Sequence, residues 1–174
     1  MALHCYLGHG ASGTSTSMKP FVDGLRRRGI DATAIDLPKR KAEEALPAFH
    51  RVVPDDATTV VGGHSFGGRV ASLAAAEPAS PYAALVLFSF PLHPPGSPDR
   101  TAVRTAHFPQ IRCPALFLSG ESDPFARIDL LREAVSRLGG PVELHTYPKL
   151  GHGLIPVLDD ALDRVATFLA TIRA

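Results

Sequence analysis

The chain has 174 residues, of which 45% are hydrophobic and 20% are charged, and its formal net charge is +1. These values are typical of one soluble globular domain, expected here over residues 1–174, and they exclude a disordered chain. The near-neutral charge predicts no nucleic-acid partner, and neither a membrane-spanning apolar run nor a signal-peptide pattern is present.

Short apolar runs rich in β-formers predict six strands, at residues 3–7, 30–35, 58–61, 84–90, 115–118 and 142–147. Apolar residues spaced three or four apart predict amphipathic helices between most of them, around residues 18–25, 128–138 and 155–172. Because strands that alternate with helices pair in parallel through crossover connections, we expect an α/β fold with helices on both faces of the sheet.

Two segments depart from this regular pattern. A second helix is expected to begin near Ala45, so that Pro47 falls in its first turn, where a missing N–H is tolerated. Residues 91–114 contain prolines at 91, 94, 95, 98 and 109 and predict an irregular connection rather than a separate domain. This connection is also too short to hold a cap.

The strongest motif is GGHSFGG at residues 62–68, which directly follows the third apolar run and precedes a helical pattern. It matches the G-x-S-x-G nucleophile elbow, in which a serine occupies a strained turn between a strand and a helix. Glycine is needed at positions 63 and 67 because a side chain there would collide with a neighbouring element. Ser65 is therefore the candidate nucleophile.

A serine hydroxyl needs a base within hydrogen-bonding reach, and the base needs a group that orients it. In elbow-containing folds the acid and then the histidine follow the serine along the chain. Asp123 follows the fifth predicted strand, where Pro124 and Phe125 are expected to begin the next helix, and His152 follows the sixth. All three side chains are expected at the carboxyl edge of the sheet, where open parallel sheets bind their ligands.

Each member also has a simpler interpretation. Asp123 could only cap a helix, Glu121 could be the acid in its place, and His152 could be an ordinary loop residue. The glycines on either side of His152 favour a close backbone approach and hence a catalytic role. His145 lies within a strand and is expected to be structural, and His64 is expected to point away from the pocket.

The first strand runs into GHGASG at residues 8–13, a loop placed to help bind an oxyanion. In this arrangement one backbone N–H comes from the residue after the serine, Phe66, and the other from the loop, at Ala11 or Gly10. Gly10 is also a candidate substrate contact. The rival interpretation, a phosphate-binding loop, lacks a complete motif and would need Asp31 or Asp36 as its acidic partner.

His93 lies in a proline-rich run directly after the fourth strand, so it is expected near the pocket. It either contacts the substrate or braces the loop. The two cysteines, Cys5 and Cys113, fit neither a disulfide framework nor a metal site, so we expect a cytoplasmic protein without a metal or other cofactor. The sequence does not distinguish a monomer from a homodimer.

Together the runs GGHSFGGR, LGHGASG, SGESDP and KLGHG resemble the dienelactone-hydrolase-like part of the α/β-hydrolase superfamily. The run FSFPLHPPG resembles a small branch that includes a subunit of the chromatin-modifying NSL complex. The resemblance implies a triad of Ser65, Asp123 and His152, with the N–H groups of Phe66 and Ala11 as oxyanion donors. Dienelactone hydrolases carry cysteine at the elbow, so their particular activity is not implied.

The chain departs from the full superfamily pattern because it lacks the first two of the usual eight strands and has no cap. We therefore expect a three-layer α/β/α sandwich with a parallel sheet in the order 2-1-3-4-5-6, which places strands one and three beneath Ser65. The expected function is hydrolysis of a small carboxylic ester or thioester. The alternatives are an acyltransferase and a non-catalytic protein-interaction module on a hydrolase scaffold.

Overall fold

The computed structural model describes residues 1–172, so the last two residues of the expected domain lie outside the described part. All six strands belong to one parallel sheet in the order β2-β1-β3-β4-β5-β6, which confirms the predicted order. The strands are β1 (His4–Gly8), β2 (Asp31–Ile35), β3 (Thr59–His64), β4 (Ala84–Phe88), β5 (Ala115–Gly120) and β6 (Val142–Tyr147).

In the described part of the chain, six α-helices surround this sheet: α1 (Lys19–Arg26), α2 (Ala42–Val52), α3 (Phe66–Ala75), α4 (Thr101–Thr105), α5 (Ile128–Val135) and α6 (Leu158–Ile172). The longest of them, α6, has 15 residues. Within residues 1–172, no helix combines the length and the apolarity that crossing a lipid bilayer requires.

The sheet separates two apolar cores, which together make the three layers of the sandwich. In β4, Leu85 and Leu87 pack with α2, α3 and α5, whereas Val86 and Phe88 pack with α1 and α6. All five residues of β4 are buried, as expected for a central parallel strand covered on both faces. Each fully buried Leu or Phe contributes roughly 1.5–3 kcal/mol, so these cores hold the carboxyl edge of the sheet rigidly.

The start of α2 differs from the prediction, because the helix begins at Ala42 rather than near Ala45 and therefore contains Pro47 in its interior. Ala42, Ala45 and Phe49 form one buried face at helical spacing, with exposures of 4%, 0% and 0%. Burial of this face outweighs the single backbone hydrogen bond that Pro47 removes.

Residues 91–114 are more ordered than an irregular connection. They contain the single-turn helix α4 and two 3-10 turns, Pro98–Arg100 and Phe108–Gln110. Proline stands in the first turn of both 3-10 segments, where the backbone N–H that it lacks would have no acceptor within the helix. The fully buried side chain of Phe108 anchors the segment to the core between α3 and α5.

Three strand ends differ from the prediction by two or more residues, and all lie at the carboxyl edge. β5 ends at Gly120 rather than at residue 118. β3 continues to His64, because Gly62 and Gly63 pair with the last two residues of β1. β4 ends at Phe88 rather than at residue 90, because Ser89 adopts a positive φ of 56° and its N–H bonds to the carbonyl of Leu118 at 2.8 Å. The chain therefore turns away from the sheet beside the elbow.

Candidate active site

Ser65 occupies a sharp turn between β3 and α3, with backbone angles φ 50° and ψ −116°. These angles are strained for a residue with a side chain, and such strain typically amounts to about 1–3 kcal/mol. The turn requires close contact between α3 and β1, because a Cβ on Gly67 would lie 2.2 Å from the carbonyl carbon of Gly8. A Cβ on Gly63 would lie 2.4 Å from the oxygen of the same carbonyl.

The three predicted side chains meet at the carboxyl edge of the sheet. His152 Nε2 lies 2.8 Å from Ser65 Oγ, and His152 Nδ1 lies 2.8 Å from Asp123 Oδ2. With Nδ1–H donating to the carboxylate, Nε2 is left to accept the serine proton. The ring of Phe125 lies over the imidazole, with their centroids 4.4 Å apart, and limits its contact with water.

The Asp123 side chain is fully buried, whereas 23% of the His152 side chain is exposed. Asp123 Oδ1 accepts the backbone N–H of Phe125 at 2.8 Å, so both carboxylate oxygens have hydrogen-bond donors. Pro124 and Phe125 do not begin a helix as expected, because α5 starts only at Ile128. Asp123 therefore does not cap α5, and its carboxylate closes the turn that carries it.

Glu121, the alternative acid, points away from the imidazole of His152. Its Oε1 accepts a hydrogen bond from the hydroxyl of Thr146 on β6 at 2.7 Å. His145 also lies on β6, and its Nε2 is 3.9 Å from a carboxylate oxygen of Asp160 on α6. Both residues thus belong to the β6 side of the sheet rather than to the cluster around Ser65.

The expected close backbone approach beside His152 is found at Gly151 and not at Gly153, although neither glycine is required by lack of space for a side chain. A Cβ added to Gly151 or Gly153 would meet no atom within 4 Å. The residue that needs to be glycine is Gly120, the last residue of β5, where a Cβ would lie 2.2 Å from the Leu150 carbonyl oxygen and 2.3 Å from that of Gly151. Gly120 therefore lets the loop that carries Asp123 pack against the loop that carries His152.

His64 was expected to point away from the site, but its ring lies 5.2 Å from that of His152. Its Nε2–H donates to the backbone carbonyl of His152 at 3.3 Å. Burial lowers the pKa of His64, which keeps the ring neutral. The sequence signal for this contact was only that His64 directly precedes Ser65.

His9 was not singled out from the sequence, yet it shapes the candidate oxyanion loop. Its Nδ1–H donates to the carbonyl of Gly10 at 2.7 Å, and its Nε2 accepts the N–H of Leu37 at 3.0 Å. Its own carbonyl accepts the N–H of Gly67 at 2.9 Å, which ties the loop to the first turn of α3. The ring is 2% exposed, so it acts as a buried brace.

The candidate oxyanion donors lie beside the serine. Phe66 is the first residue of α3, where backbone N–H groups have no acceptor within the helix. Ala11 and Phe66 line the same cavity as Ser65, whereas Gly10 packs against the ring of His64. Asp36, considered as the partner of a phosphate loop, instead accepts two hydrogen bonds from Ser15.

His93 is 4% exposed, and both of its ring nitrogens are hydrogen-bonded. Nδ1–H donates to the carbonyl of Pro94 at 2.8 Å, and Nε2 accepts the N–H of Arg127 at 3.1 Å. The backbone N–H of His93 also bonds to the carbonyl of Phe125. These contacts favour the bracing role over substrate contact, because they join the loop after β4 to the loop that carries Asp123.

A cavity of about 640 Å³ opens beside Ser65. Its walls come from α2, α4, the start of α3 and the loop after β4, and they carry several charged residues, Arg40, Lys41, Glu43, Glu44, Arg69, Arg100 and Arg104. This volume lies within the usual range for small-molecule sites. Within residues 1–172, no group of three or more His, Cys, Asp and Glu side chains is placed to hold a metal ion.

A parallel sheet of this order, with a serine at a strand-to-helix elbow and an acid and a histidine after the last two strands, defines the α/β-hydrolase class. The model of a family described as "Alpha/beta hydrolase domain" matches residues 4–168, and the chain belongs to this family. No curated protein shows significant sequence similarity to the chain.

Solved structures with this fold include several lipolytic enzymes. The chain is similar to a monoacylglycerol lipase of Paleococcus ferrophilus, with a TM-score of 0.83 and 14% identity over 97% of this chain and 94% of the lipase. It is also similar to Thermogutta terrifontis esterase 2 phosphorylated by paraoxon, with a TM-score of 0.79 and 19% identity over 98% and 83% of the two chains. An esterase of Pyrococcus furiosus gives a TM-score of 0.77 at 17% identity over 97% and 80%. At these identities the likeness establishes the fold alone.

Proposed function

We propose that the protein hydrolyses a small carboxylic ester or thioester through an acyl-enzyme on Ser65. The observation that carries this proposal is the pair of 2.8 Å contacts that link Ser65 Oγ to His152 and His152 to Asp123. This arrangement makes the serine hydroxyl a nucleophile at neutral pH, because the imidazole can accept its proton as the carbonyl carbon is attacked.

In the first half-reaction, Ser65 Oγ bonds to the substrate carbonyl carbon while its proton passes to His152 Nε2. The N–H groups of Phe66 and Ala11 bind the oxyanion that forms, and one such donor typically contributes about 3 kcal/mol. His152 then gives the proton to the departing alcohol or thiol, and the acyl group remains on Ser65. Asp123 stays ionised and stabilises the imidazolium.

In the second half-reaction, water enters and loses a proton to His152 Nε2 as it attacks the acyl-enzyme. The tetrahedral intermediate collapses, the carboxylic acid leaves, and the proton returns to Ser65 Oγ. The residues around the serine leave the cavity open to solvent, which favours water over a second bound substrate as the acyl acceptor. Added alcohols would capture the acyl group if the protein were instead a transferase.

Within the family, the four motif runs support a place near the dienelactone-hydrolase-like proteins. Serine at position 65, in place of their cysteine, argues against dienelactone hydrolysis itself. The relation to the branch that includes the NSL-complex subunit depends on the run at residues 88–96. In this structure that run braces the Asp123 loop through His93.

Labelling with a fluorophosphonate tests the proposal directly, and paraoxon is a second probe because it phosphorylates the related Thermogutta esterase. We expect one adduct per chain, located on Ser65 by peptide mass spectrometry, and no adduct on Ser65→Ala. Folded protein that takes no label, or label that persists on Ser65→Ala, would contradict the mechanism. A series of 4-nitrophenyl esters of increasing length then defines the acyl group.

A further inference from the structure

The cavity beside Ser65 is strongly cationic in an otherwise near-neutral protein. Five of the 18 Lys and Arg residues line it, against two of the 17 Asp and Glu residues. The cations are Arg40, Lys41, Arg69, Arg100 and Arg104, and the acids are Glu43 and Glu44. The net charge of this wall is therefore +3, whereas that of the whole chain is +1.

Most of these cations have no carboxylate of the protein to neutralise them. Arg69, whose side chain is 14% exposed, forms an ion pair with Glu43 and donates to the carbonyl of Arg104 at 3.3 Å. Among residues 1–172, the other four lining cations make no ion pair. Arg69 is thus a fixed structural charge, and the remaining cations are available to a ligand.

Arg104 shows that these positive charges act on one another. It is half-buried, and its guanidinium donates to the carbonyl of Pro91 at 3.2 Å. Burial lowers the pKa of Arg104, and the neighbouring charges of Arg69 and Arg100 lower it further, against the opposing effect of Glu43. An anion bound between Arg104 and Arg100 would relieve this repulsion.

Solvated surface cations are the simpler interpretation, and the shape of the site argues against it. The charges share a concave wall with Phe66, Val103 and Phe125, and apolar walls of this kind focus the field of the charges that they hold. Phe66 and Phe125 also contact the reaction centre, since Phe66 follows the nucleophile and Phe125 covers His152. A substrate at Ser65 therefore lies within this positive field.

We propose that the substrate carries an anionic group, a carboxylate or a phosphate, which binds to Arg40, Lys41, Arg100 and Arg104 while the ester or thioester carbonyl lies at Ser65. This inference rests on the proposed hydrolase function and names its substrate class. The anion belongs either to the acyl chain or to the leaving group, and substrates of each kind distinguish the two.

Matched substrate pairs test the proposal and show whether the anion lies on the acyl chain or on the leaving group. The first pair is 4-nitrophenyl hydrogen adipate against 4-nitrophenyl hexanoate, and the second is hexanoyl-coenzyme A against the hexanoyl thioester of N-acetylcysteamine. At low salt, kcat/KM for the anionic member of one pair should exceed that of the neutral member by about tenfold or more. The preference should shrink at about 1 M salt, where the screening length falls to about 3 Å.

A variant that removes charges from the cavity wall tests whether the wall causes the preference for anionic substrates. The double variant of Arg40→Gln and Arg100→Gln should reduce the anionic-to-neutral ratio to within about threefold of unity. The matched control removes two exposed arginines from the opposite edge of the sheet, Arg112→Gln with Arg137→Gln, and should keep the wild-type ratio. A folded double variant that keeps the wild-type ratio, with both members of a pair losing activity by the same factor, would overturn the proposal, because the removed charges would then not cause the preference.

The outcomes distinguish this inference from the function on which it rests. A preference in the adipate pair places the anion on the acyl chain, and a preference in the thioester pair places it on the leaving group. Ser65-dependent hydrolysis of hexanoate with no preference in either pair would overturn the anionic site alone. Absence of both turnover and Ser65 labelling would overturn the hydrolase proposal together with it.

Discussion

The ring of His64 donates a hydrogen bond from Nε2 to the backbone carbonyl of His152, 3.3 Å away. His64, which immediately precedes Ser65, thus holds the loop that carries His152. This contact lies outside the hydrogen-bonded chain of Ser65, His152 and Asp123, because it joins the His64 ring to the backbone of His152 and not to its imidazole. His64 is therefore a positioning residue.

Replacing His64 tests this role. His64→Leu should lower kcat about fivefold, the equivalent of one net hydrogen bond of about 1 kcal/mol, and should change KM for a neutral ester less than about twofold. His64→Gln keeps an N–H donor and should restore most of kcat. Steady-state kinetics on both variants checks the prediction, and a change confined to KM would contradict it.

Asp123→Asn should lower kcat by about four orders of magnitude, because an amide at this position no longer holds Nδ1–H of His152 in the productive tautomer. Glu121→Gln is the matched control, since it makes the same carboxylate-to-amide change two residues away at a side chain bonded to Thr146. The control should keep kcat within about threefold of the wild-type value, because this partly buried hydrogen bond lies on β6 and an amide oxygen can still accept it. Equal losses in the two variants would argue against Asp123 as the acid.

Gly67→Ala should destabilise the protein by about 3 kcal/mol, because its Cβ would lie 2.2 Å from a backbone carbon of β1 and the core is already fully packed. Gly153→Ala should change the free energy of unfolding by less than about 1 kcal/mol, since nothing lies within 4 Å of its added methyl group. Urea unfolding of both variants measures the difference. A tolerated Gly67→Ala would show that α3 can move away from β1.

Stability should fall as the pH is lowered because of His107, whose pKa is lowered from 6.5 to about 4 by burial and, secondarily, by the charge of Arg69. Between these two values the unfolded chain binds a proton that the folded chain excludes, so acid favours unfolding. This single group should remove up to about 3 kcal/mol of stability between about pH 7 and pH 4.

The variant His107→Leu isolates that contribution. Its free energy of unfolding should decline less steeply than that of the wild type over the same pH range, because no proton is taken up at this position on unfolding. Urea titrations at about pH 7, 5.5 and 4 provide the comparison. Parallel curves for the two proteins would show that His107 is already accessible to protons in the folded state.

Much of the fold and the three central side chains could be predicted from the sequence, because the deciding signals are local. Alternating apolar runs and helical periodicity identify a parallel sheet. The elbow glycines place Ser65 at a tight turn, and chain order then selects Asp123 and His152. These signals do not depend on which residues meet across the fold.

The contacts that organise the site could not be predicted in the same way. His9 and His64 act through backbone groups of distant loops, and nothing adjacent in sequence marks those groups as partners. Gly120 and Gly151 pack backbone against backbone, yet only at Gly120 would a Cβ collide with its neighbour, and nothing in the sequence distinguishes the two glycines. The cationic wall also gathers residues from three separate segments, so the overall charge of the chain conceals it.

Ser65 keeps its positive φ only while β1 and α3 remain in close contact at Gly8 and Gly67. A small outward shift of α3 would let that turn relax to an ordinary conformation long before the strands separate. On heating, hydrolytic activity should therefore be lost at a lower temperature than the one at which circular dichroism shows that the helices unfold. The difference between the two temperatures measures how much less stable the backbone contact between Gly8 and Gly67 is than the fold as a whole.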